Sequence, residues 1–394
     1  MFSTSTKRHR SAFAQIPIEL VQLIFATLEP RYSCKYRRLS RFFNHSLSDP
    51  FFARLNLSLT VDLKDTARPR IDFIRRWIKW PAHYQEVYAA RALTSVKECW
   101  WDSERLVGGI PDAIGEMKAL THFSATLNYL KGPIPLALTA LPDLKSLNLA
   151  NNRLTGKIPS EITRLDKLET FWLTFNNLTG ELPHNIGDLS NLRYVKVGFN
   201  SLSNPLPKSI GKLKNLKVLN LSSNRLTGSI PAEIAGCFNL EELILSENLL
   251  TGCIPNAIFS LTRLTILDLS SNQLTGRIPE TIGNLTNLIN LNLSSNQLSG
   301  SLPTSLGQLT RLEHFSVSNN RISGPLPIQL YNLTNISFLH LQNNKFQGTI
   351  HSDIKKLRDL YVLDLSNTRI EQKIPDGIER SGNAYILLVR CGFT

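Results

Sequence analysis

An asparagine recurs every 24 residues through the middle of this chain, at Asn128, Asn152, Asn176, Asn200, Asn224, Asn248, Asn272, Asn296, Asn320 and Asn344. A period of that length builds a solenoid, because one repeat is a single supersecondary unit that buries its apolar face only by stacking on the next. The unit is clearest from Leu264 to Pro279. Leu267 and Leu269 alternate with Asp268 and Ser270, which predicts a short strand with leucines inward and polar side chains outward. Asn272 turns inward where the chain leaves the strand, so its amide can pair with backbone groups of neighbouring coils that no sheet ladder reaches. Gly276 permits a backbone conformation that a side chain would forbid, and Ile278-Pro279 supplies an apolar contact followed by a fixed φ without a donor.

This unit resembles the plant-specific class of leucine-rich repeat, LxxLxxLxLxxNxLxGxIPxxLGxL, from about Leu93 to the C-terminus. The resemblance implies an α/β solenoid: a leucine-rich-repeat horseshoe or superhelix with a concave parallel β-sheet and short extra strands near the convex side. The departures sit at the ends, with Glu104 in the first Asn place, Thr368 in the last and His351 where a proline is expected. Including the end repeats gives twelve coils, and Tyr385 to Val389 supplies one more strand.

The chain has 394 residues and a net charge of +13, unevenly placed. Residues 1–92 hold 16 Lys+Arg against 7 Asp+Glu, so the head is the basic part. No apolar run reaches the ~18 residues that span a bilayer. Gln15, Pro17, Glu19 and Gln22 interrupt the apolar core that a signal peptide would need after the basic start. The five cysteines are odd in number, and Cys99 and Cys237 occupy inward leucine places, which reads as buried free thiols in a reducing compartment, cytoplasm or nucleus. Eight Asn-X-Ser/Thr sequons occur. Several, such as Asn220-Leu-Ser and Asn292-Leu-Ser, follow from the alphabet of the repeat and are no argument for secretion.

Four segments emerge: a basic N-terminus (1–14), a helical head (15–60), a helical linker and cap (61–92) and the repeats (93–394). In the head, Leu20, Leu23, Ile24, Thr27 and Leu28 recur at helical spacing after Pro17, and a second helix is expected over Cys34 to Leu47, closed by Asp49-Pro50. Together with Leu39-Ser40-Arg41-Phe42-Phe43, this stretch resembles an F-box, with Ile16 for the leading Leu and Phe43 for the usual Trp. The resemblance implies that Pro17, Leu20, Ile24, Leu28, Leu39 and Phe43 engage or support a Skp-family adaptor of a cullin-RING ubiquitin ligase. The competing reading is an N-terminal helical cap with coincidental leucines. The basic residues Lys35, Arg37, Arg38 and Arg41 suit an acidic partner, and nucleic acid is set aside because no stacking platform or nucleic-acid motif accompanies them.

Between head and repeats, Ile71, Ile74, Trp77 and Ile78 form one apolar stripe, stopped by Trp80-Pro81, and Tyr84, Val87 and Tyr88 form another. These aromatics could be a binding face, but the first coil of a solenoid has an exposed apolar end that needs covering, so a cap is expected.

The sequence contains no phosphate-cradling glycine loop, His-x-x-x-His pair, nucleophile elbow or paired-cysteine zinc spacing, which argues for neither an enzyme nor a cofactor. Binding is expected on the concave strands, where the side chains before each anchor asparagine point out. In the middle coils these are Asn220, Ser222, Ser270, Asn292 and Ser294; toward the N-terminal end they become Trp100, Trp172, Tyr194 and Lys196, with Phe175 and Phe199 adjoining; toward the C-terminal end they become His314, Phe338 and His340. Outward aromatics on a rigid sheet are the side chains that dominate interface energetics. Three functions fit: a ubiquitin-ligase substrate receptor, a leucine-rich-repeat scaffold without a ubiquitin role, and a secreted or cell-surface recognition protein.

Overall fold

A computed structural model describes residues 82–371 continuously, together with 385–387 and Gln22, Phe52, Ala53, Asn56, Leu57, Trp77, Ile78 and Trp80. Pro17, Leu20, Ile24, Leu28, Leu39 and Phe43 lie outside the described residues. The chain divides into two compact units, residues 1–155 and 156–394.

In the first unit, helix α1 (Ala82–Ala92) precedes inner strands β1 (Glu98–Trp100), β3 (His122–Ser124) and β5 (Ser146–Asn148), which pair in parallel. Outer strands β2 (Val107–Gly108), β4 (Tyr129–Gly132) and β6 (Arg153–Lys157) pair in the same sense. One face of α1 is buried through Tyr84, Gln85, Tyr88 and Ala89. Gln85 has no place in an apolar stripe, and its partners explain its burial: its Nε2 donates to the carbonyls of Trp77 (3.0 Å) and Ile78 (2.9 Å), while the Trp77 indole donates back to the Gln85 carbonyl (3.1 Å). Trp77 packs edge-on against Trp101, and Trp80 against Tyr84 and Tyr88. All of these rings are buried. They pack the helix against the first coils.

In the second unit, the inner strands are β7 (Thr170–Trp172), β9 (Tyr194–Lys196), β11 (Val218–Asn220), β13 (Glu242–Ile244), β15 (Ile266–Asp268), β17 (Asn290–Asn292), β19 (His314–Ser316), β21 (Phe338–His340), β23 (Val362–Asp364) and β25 (Tyr385–Leu387). They pair in parallel in that order. Leu267 stands opposite Leu243 and Leu291, so a side chain in one coil stacks on its counterpart 24 residues away. The central residue of each three-residue strand is core: Phe171, Val195, Leu219, Leu243, Leu267, Leu291, Phe315, Leu339 and Leu363 are all buried. On the other side run short strands in three groups: β8 (Asn177–Gly180), β10 (Ser201–Pro205) and β12 (Arg225–Thr227); β14 (Thr251–Cys253) and β16 (Gln273–Thr275); and β18 (Ser299–Gly300), β20 (Arg321–Gly324), β22 (Lys345–Thr349) and β24 (Arg369–Glu371). A short 3-10 helix follows the Ile-Pro step of most coils, for example Glu280–Asn284 after Pro279.

The asparagines pair as their spacing predicts. Asn272 Nδ2 donates to the carbonyls of Leu245 in the preceding coil (3.0 Å) and of Leu269 and Ser270 in its own, while its Oδ1 accepts from Leu250 N–H (3.0 Å). Asn224 repeats the pattern on Val197, Leu221, Ser222 and Leu202. Each amide therefore closes backbone groups of two successive coils, at sites where an unpaired group costs about 1–3 kcal/mol. Just before the anchor the chain takes a left-handed step, at Phe175 (φ 57°), Phe199 (55°), Ser271 (53°) and Asn319 (56°) among others. The repeat motif carries no glycine there to announce it. Gly276 has φ +84°, and a Cβ there would stand 2.6 Å from Cys253 Sγ, so the glycine serves both backbone angle and close stacking.

The departures from the repeat also find partners. At His351 the missing proline leaves a backbone N–H, which donates to the Tyr331 hydroxyl (3.1 Å), and the imidazole Nδ1 accepts from Asp353 N–H. Thr368, in the last anchor place, donates to Leu365 O (2.7 Å).

Candidate binding surface

Because the middle residue of each inner strand points into the core, its first and third residues stand on the open face of the sheet. In the middle coils those polar side chains already hold hydrogen bonds with their own turns. Asn220 Oδ1 accepts from Ser222 N–H (3.0 Å) and its hydroxyl (2.8 Å); Asp268 Oδ1 accepts from Ser270 in the same way (3.0 and 2.6 Å); Asn292 Oδ1 accepts from Ser294 (3.2 and 2.7 Å). A partner crossing here meets groups whose hydrogen-bonding capacity is partly filled. The bland composition seen in the sequence thus has a structural counterpart.

At the N-terminal end of the second unit the pattern changes. Trp172, Lys196 and Asn220 lie side by side in register on β7, β9 and β11, and Lys196 Nζ sits 5.4 Å from the centre of the Trp172 ring. Tyr194 shares the face two residues before Lys196. Phe175 and Phe199 stack at 4.1 Å, yet remain 49% and 44% exposed. They pack locally, as their place before the anchor suggests, and still leave half of each ring to solvent.

At the other end, Phe338 stacks on His314, with centroids 4.7 Å apart and planes at 9°, and approaches His340 at 6.5 Å. Tyr361 meets Phe338 edge-on at 5.6 Å and is itself exposed. The repeat pattern does not point to Tyr361. Alternation counted back from Leu363 would turn it inward, but it lies just before β23, where that register no longer applies. The sequence signal that could have found it is a lone aromatic at a strand entry.

In the first unit, Trp100 is 58% exposed, donates to Glu98 Oε2 (3.2 Å) and lies in a loose stack with His122. Val107 and Tyr129 are also exposed and stand opposite one another on β2 and β4, with the Arg153 guanidinium 5.0 Å from the tyrosine ring centre. This small apolar patch was not anticipated.

On the 3-10 flank of the second unit, an open cleft of about 570 Å³ is lined by Glu280, Thr304, Ser305, Gln308, Gln329 and Asn332, among others. Glu280 accepts from the N–H groups of Ser305 (2.9 Å) and Thr304 (3.1 Å), and those bonds hold its carboxyl below the usual range. Its position on the coil and its backbone partners read as inter-coil bracing. Among the described residues no group of three His, Cys, Asp or Glu could hold a metal ion, and no helix is long and apolar enough to cross a membrane. Cys99 and Cys237 are buried free thiols, raised by desolvation, Cys237 to about 12; Cys253 is exposed and also free.

A parallel stack of 24-residue coils with an asparagine ladder and an exposed inner strand face defines a leucine-rich-repeat protein. Leucine rich repeat profiles match residues 143–165, 167–189, 190–250, 215–274, 262–322 and 359–381, and the chain belongs to this family. None of the matched segments reaches the head. Similar solved structures include the Arabidopsis receptor kinase HAESA in complex with the peptide hormone IDA and the co-receptor SERK1: 33% identity, 75% of this chain and 54% of that one, TM-score 0.70. The plant peptide hormone receptor RGFR1 in complex with RGF2 matches at 32% identity over 75% of this chain and 55% of that one, with TM-score 0.60. A plant ice-binding protein matches at 30% identity, over 63% of this chain and 80% of that one, with TM-score 0.52. The chain thus spans about half the length of the receptor chains it resembles. No curated protein sequence matches it.

Proposed function

We propose that this chain is a recognition module that holds an extended segment of a protein partner across the inner strand face of residues 156–394. One observation carries the reading: aromatic clusters stand at both ends of a face whose middle is internally hydrogen-bonded. From β7 to β19 there are six strand steps, about 29 Å, which an extended segment of about nine residues covers. Rigid aromatics separated by a near-neutral stretch suit two anchored ends with weakly contributing contacts between. The chain itself is no enzyme in this reading, and any chemistry belongs to a partner.

Two cellular settings have support. The hormone-bound receptors among the similar structures favour a cell-surface recognition protein. The F-box resemblance of residues 16–57 and the exposed thiol of Cys253 favour an intracellular substrate receptor of a Skp-cullin-F-box ligase. Affinity purification of the full chain followed by mass spectrometry separates them: an adaptor and cullin mark the second setting, a secreted peptide or receptor partner the first. Recovery of a partner by the parent and equally by a variant carrying Trp172→Ala and Phe338→Ala would remove the proposed face.

A further inference from the structure

We propose that Lys196 and Trp172 form a carboxylate-binding subsite on this face, taking an Asp or Glu side chain of the bound segment; the inference rests on the recognition reading above. Three observations converge on it. First, the neighbouring cations are neutralised and Lys196 is not. Arg193 pairs with Glu169 (3.5 Å) and Lys217 with Glu241 (2.9 Å), whereas among the described residues Lys196 has no ion pair and rests only against the Trp172 ring. Second, the Trp172 indole N–H is buried and has no acceptor among the described residues. A buried donor left without an acceptor is unfavourable, and a group that supplies one is favoured for that reason alone.

Third, the repeat itself shows why these two side chains stand available. In four other coils of this unit their place is filled by Asn220, Asp268, Asn292 and Asp364, whose carbonyl or carboxylate oxygens each accept hydrogen bonds from the residue two further on. Lysine and tryptophan cannot accept. In the Lys196 coil the residue two further on is Gly198, so no hydroxyl is present there, and its Cα faces Asn220 Oδ1 and Ser222 closely enough that a Cβ would meet them at 2.9–3.0 Å. The ammonium is therefore bounded by a ring on one side and a side-chain-free step along its own strand. A carboxylate meeting it can take one charge-assisted bond from Nζ, and the unpartnered indole N–H of the same pair is the donor left for its second oxygen.

The test selects ligands before assuming any. A random dodecapeptide display library is panned against the full chain, Lys196→Gln and Lys196→Arg, and the Kd of the best peptide is compared with that of its Asp→Asn or Glu→Gln counterpart. An acidic residue should be enriched at one position for the parent and for Lys196→Arg and not for Lys196→Gln. The acid-to-amide Kd ratio should be about fivefold or more in the parent, as for a half-buried charge contact, should fall with added salt, and should drop to about one in Lys196→Gln. Trp172→Phe, which keeps a ring and removes the N–H, should lower the ratio without abolishing binding. Selected peptides with no acidic preference, or the same preference in Lys196→Gln, overturn the subsite and leave the recognition reading standing. A library that yields no binder to the folded chain overturns both.

Discussion

Phe175 and Phe199 lie face to face, their centroids 4.1 Å apart and their planes at 14°, and both occupy left-handed backbone positions with φ of 57° and 55°. A bulky residue there is unfavourable by roughly 1–2 kcal/mol, whereas asparagine tolerates it, as at Asn151 and Asn319 in equivalent places. The ring stack returns about 0.5–1.5 kcal/mol. The two contributions nearly cancel. Phe175→Asn and Phe199→Asn should accordingly leave thermal stability within about 1 kcal/mol of the parent, checked by denaturant titration; a loss of 3 kcal/mol or more, the size of a core truncation, would mean that the rings are structural and not a free edge.

The ladder asparagines behave in the opposite way, because they are nearly invisible to solvent and close backbone groups in two coils. Asn224→Leu removes the acceptor of the buried Leu202 N–H and one of the two amide donors to each of the Val197 and Leu221 carbonyls, which keep Asn200 Nδ2 and Asn248 Nδ2 respectively. Each buried group left unpaired costs about 1–3 kcal/mol, and burying the leucine recovers part of that at most. The variant should unfold at clearly lower urea than the parent. A midpoint equal to the parent's would show that water or a backbone shift replaces the amide.

Leu267→Ala probes the column of stacked leucines. The residue is buried between Leu243 and Leu291, in a core where an alanine leaves a cavity, and the expected loss is about 2–5 kcal/mol. Because a solenoid unfolds by coils coupled to their neighbours, the variant should also broaden the transition. Unaltered cooperativity with unaltered midpoint would contradict the stacking.

Much of this fold was legible because a 24-residue period leaves few alternatives: Leu267, Leu269 and Asn272 each have one sensible direction, and their neighbours repeat it. The candidate surface was legible where strand alternation holds, at Trp172, Lys196, His314, Phe338 and His340. It was not legible where side-chain direction depends on strand ends. Tyr361 turns outward before β23 begins, Gln85 is buried by backbone partners seven and eight residues earlier, and the left-handed step at Phe175 has no glycine to announce it. The Val107 and Tyr129 patch depends on pairing between outer strands of only two and four residues, too short for a periodic signal.

Thiol chemistry gives a fourth structural check. Burial raises the pKa of Cys237, whose Sγ donates to Ile210 O (3.1 Å), to about 12, and shifts Cys99 the same way. Only the thiolate is alkylated, and at pH 8, far below such a value, almost none is present. Iodoacetamide treatment of the native chain, followed by peptide mapping, should label the exposed Cys253 and leave Cys99 and Cys237 unlabelled until the protein is unfolded. Labelling of Cys237 in the native state at the rate of Cys253 would place it outside the core.

The two aromatic ends make the sharpest functional contrast with the middle of the face. Trp172 and Tyr194 at one end, and Phe338 with its stacked His314 at the other, are partly buried against neighbours and so lose little freedom when a partner covers them. Truncating an aromatic anchor of this kind costs about 2 kcal/mol or more, over tenfold in affinity. Ser270 differs: its hydroxyl is already bonded to Asp268 Oδ1 at 2.6 Å, so a partner gains little from it. In titrations against the partner recovered by purification, Trp172→Ala, Tyr194→Ala and Phe338→Ala should each weaken binding by more than tenfold, and Ser270→Ala by less than about twofold. If only the Phe338 variant weakens, the segment is anchored at the histidine end alone and spans fewer coils than the distance from β7 to β19. If Ser270→Ala equals Trp172→Ala, the energy is spread along the sheet and the two-anchor account fails.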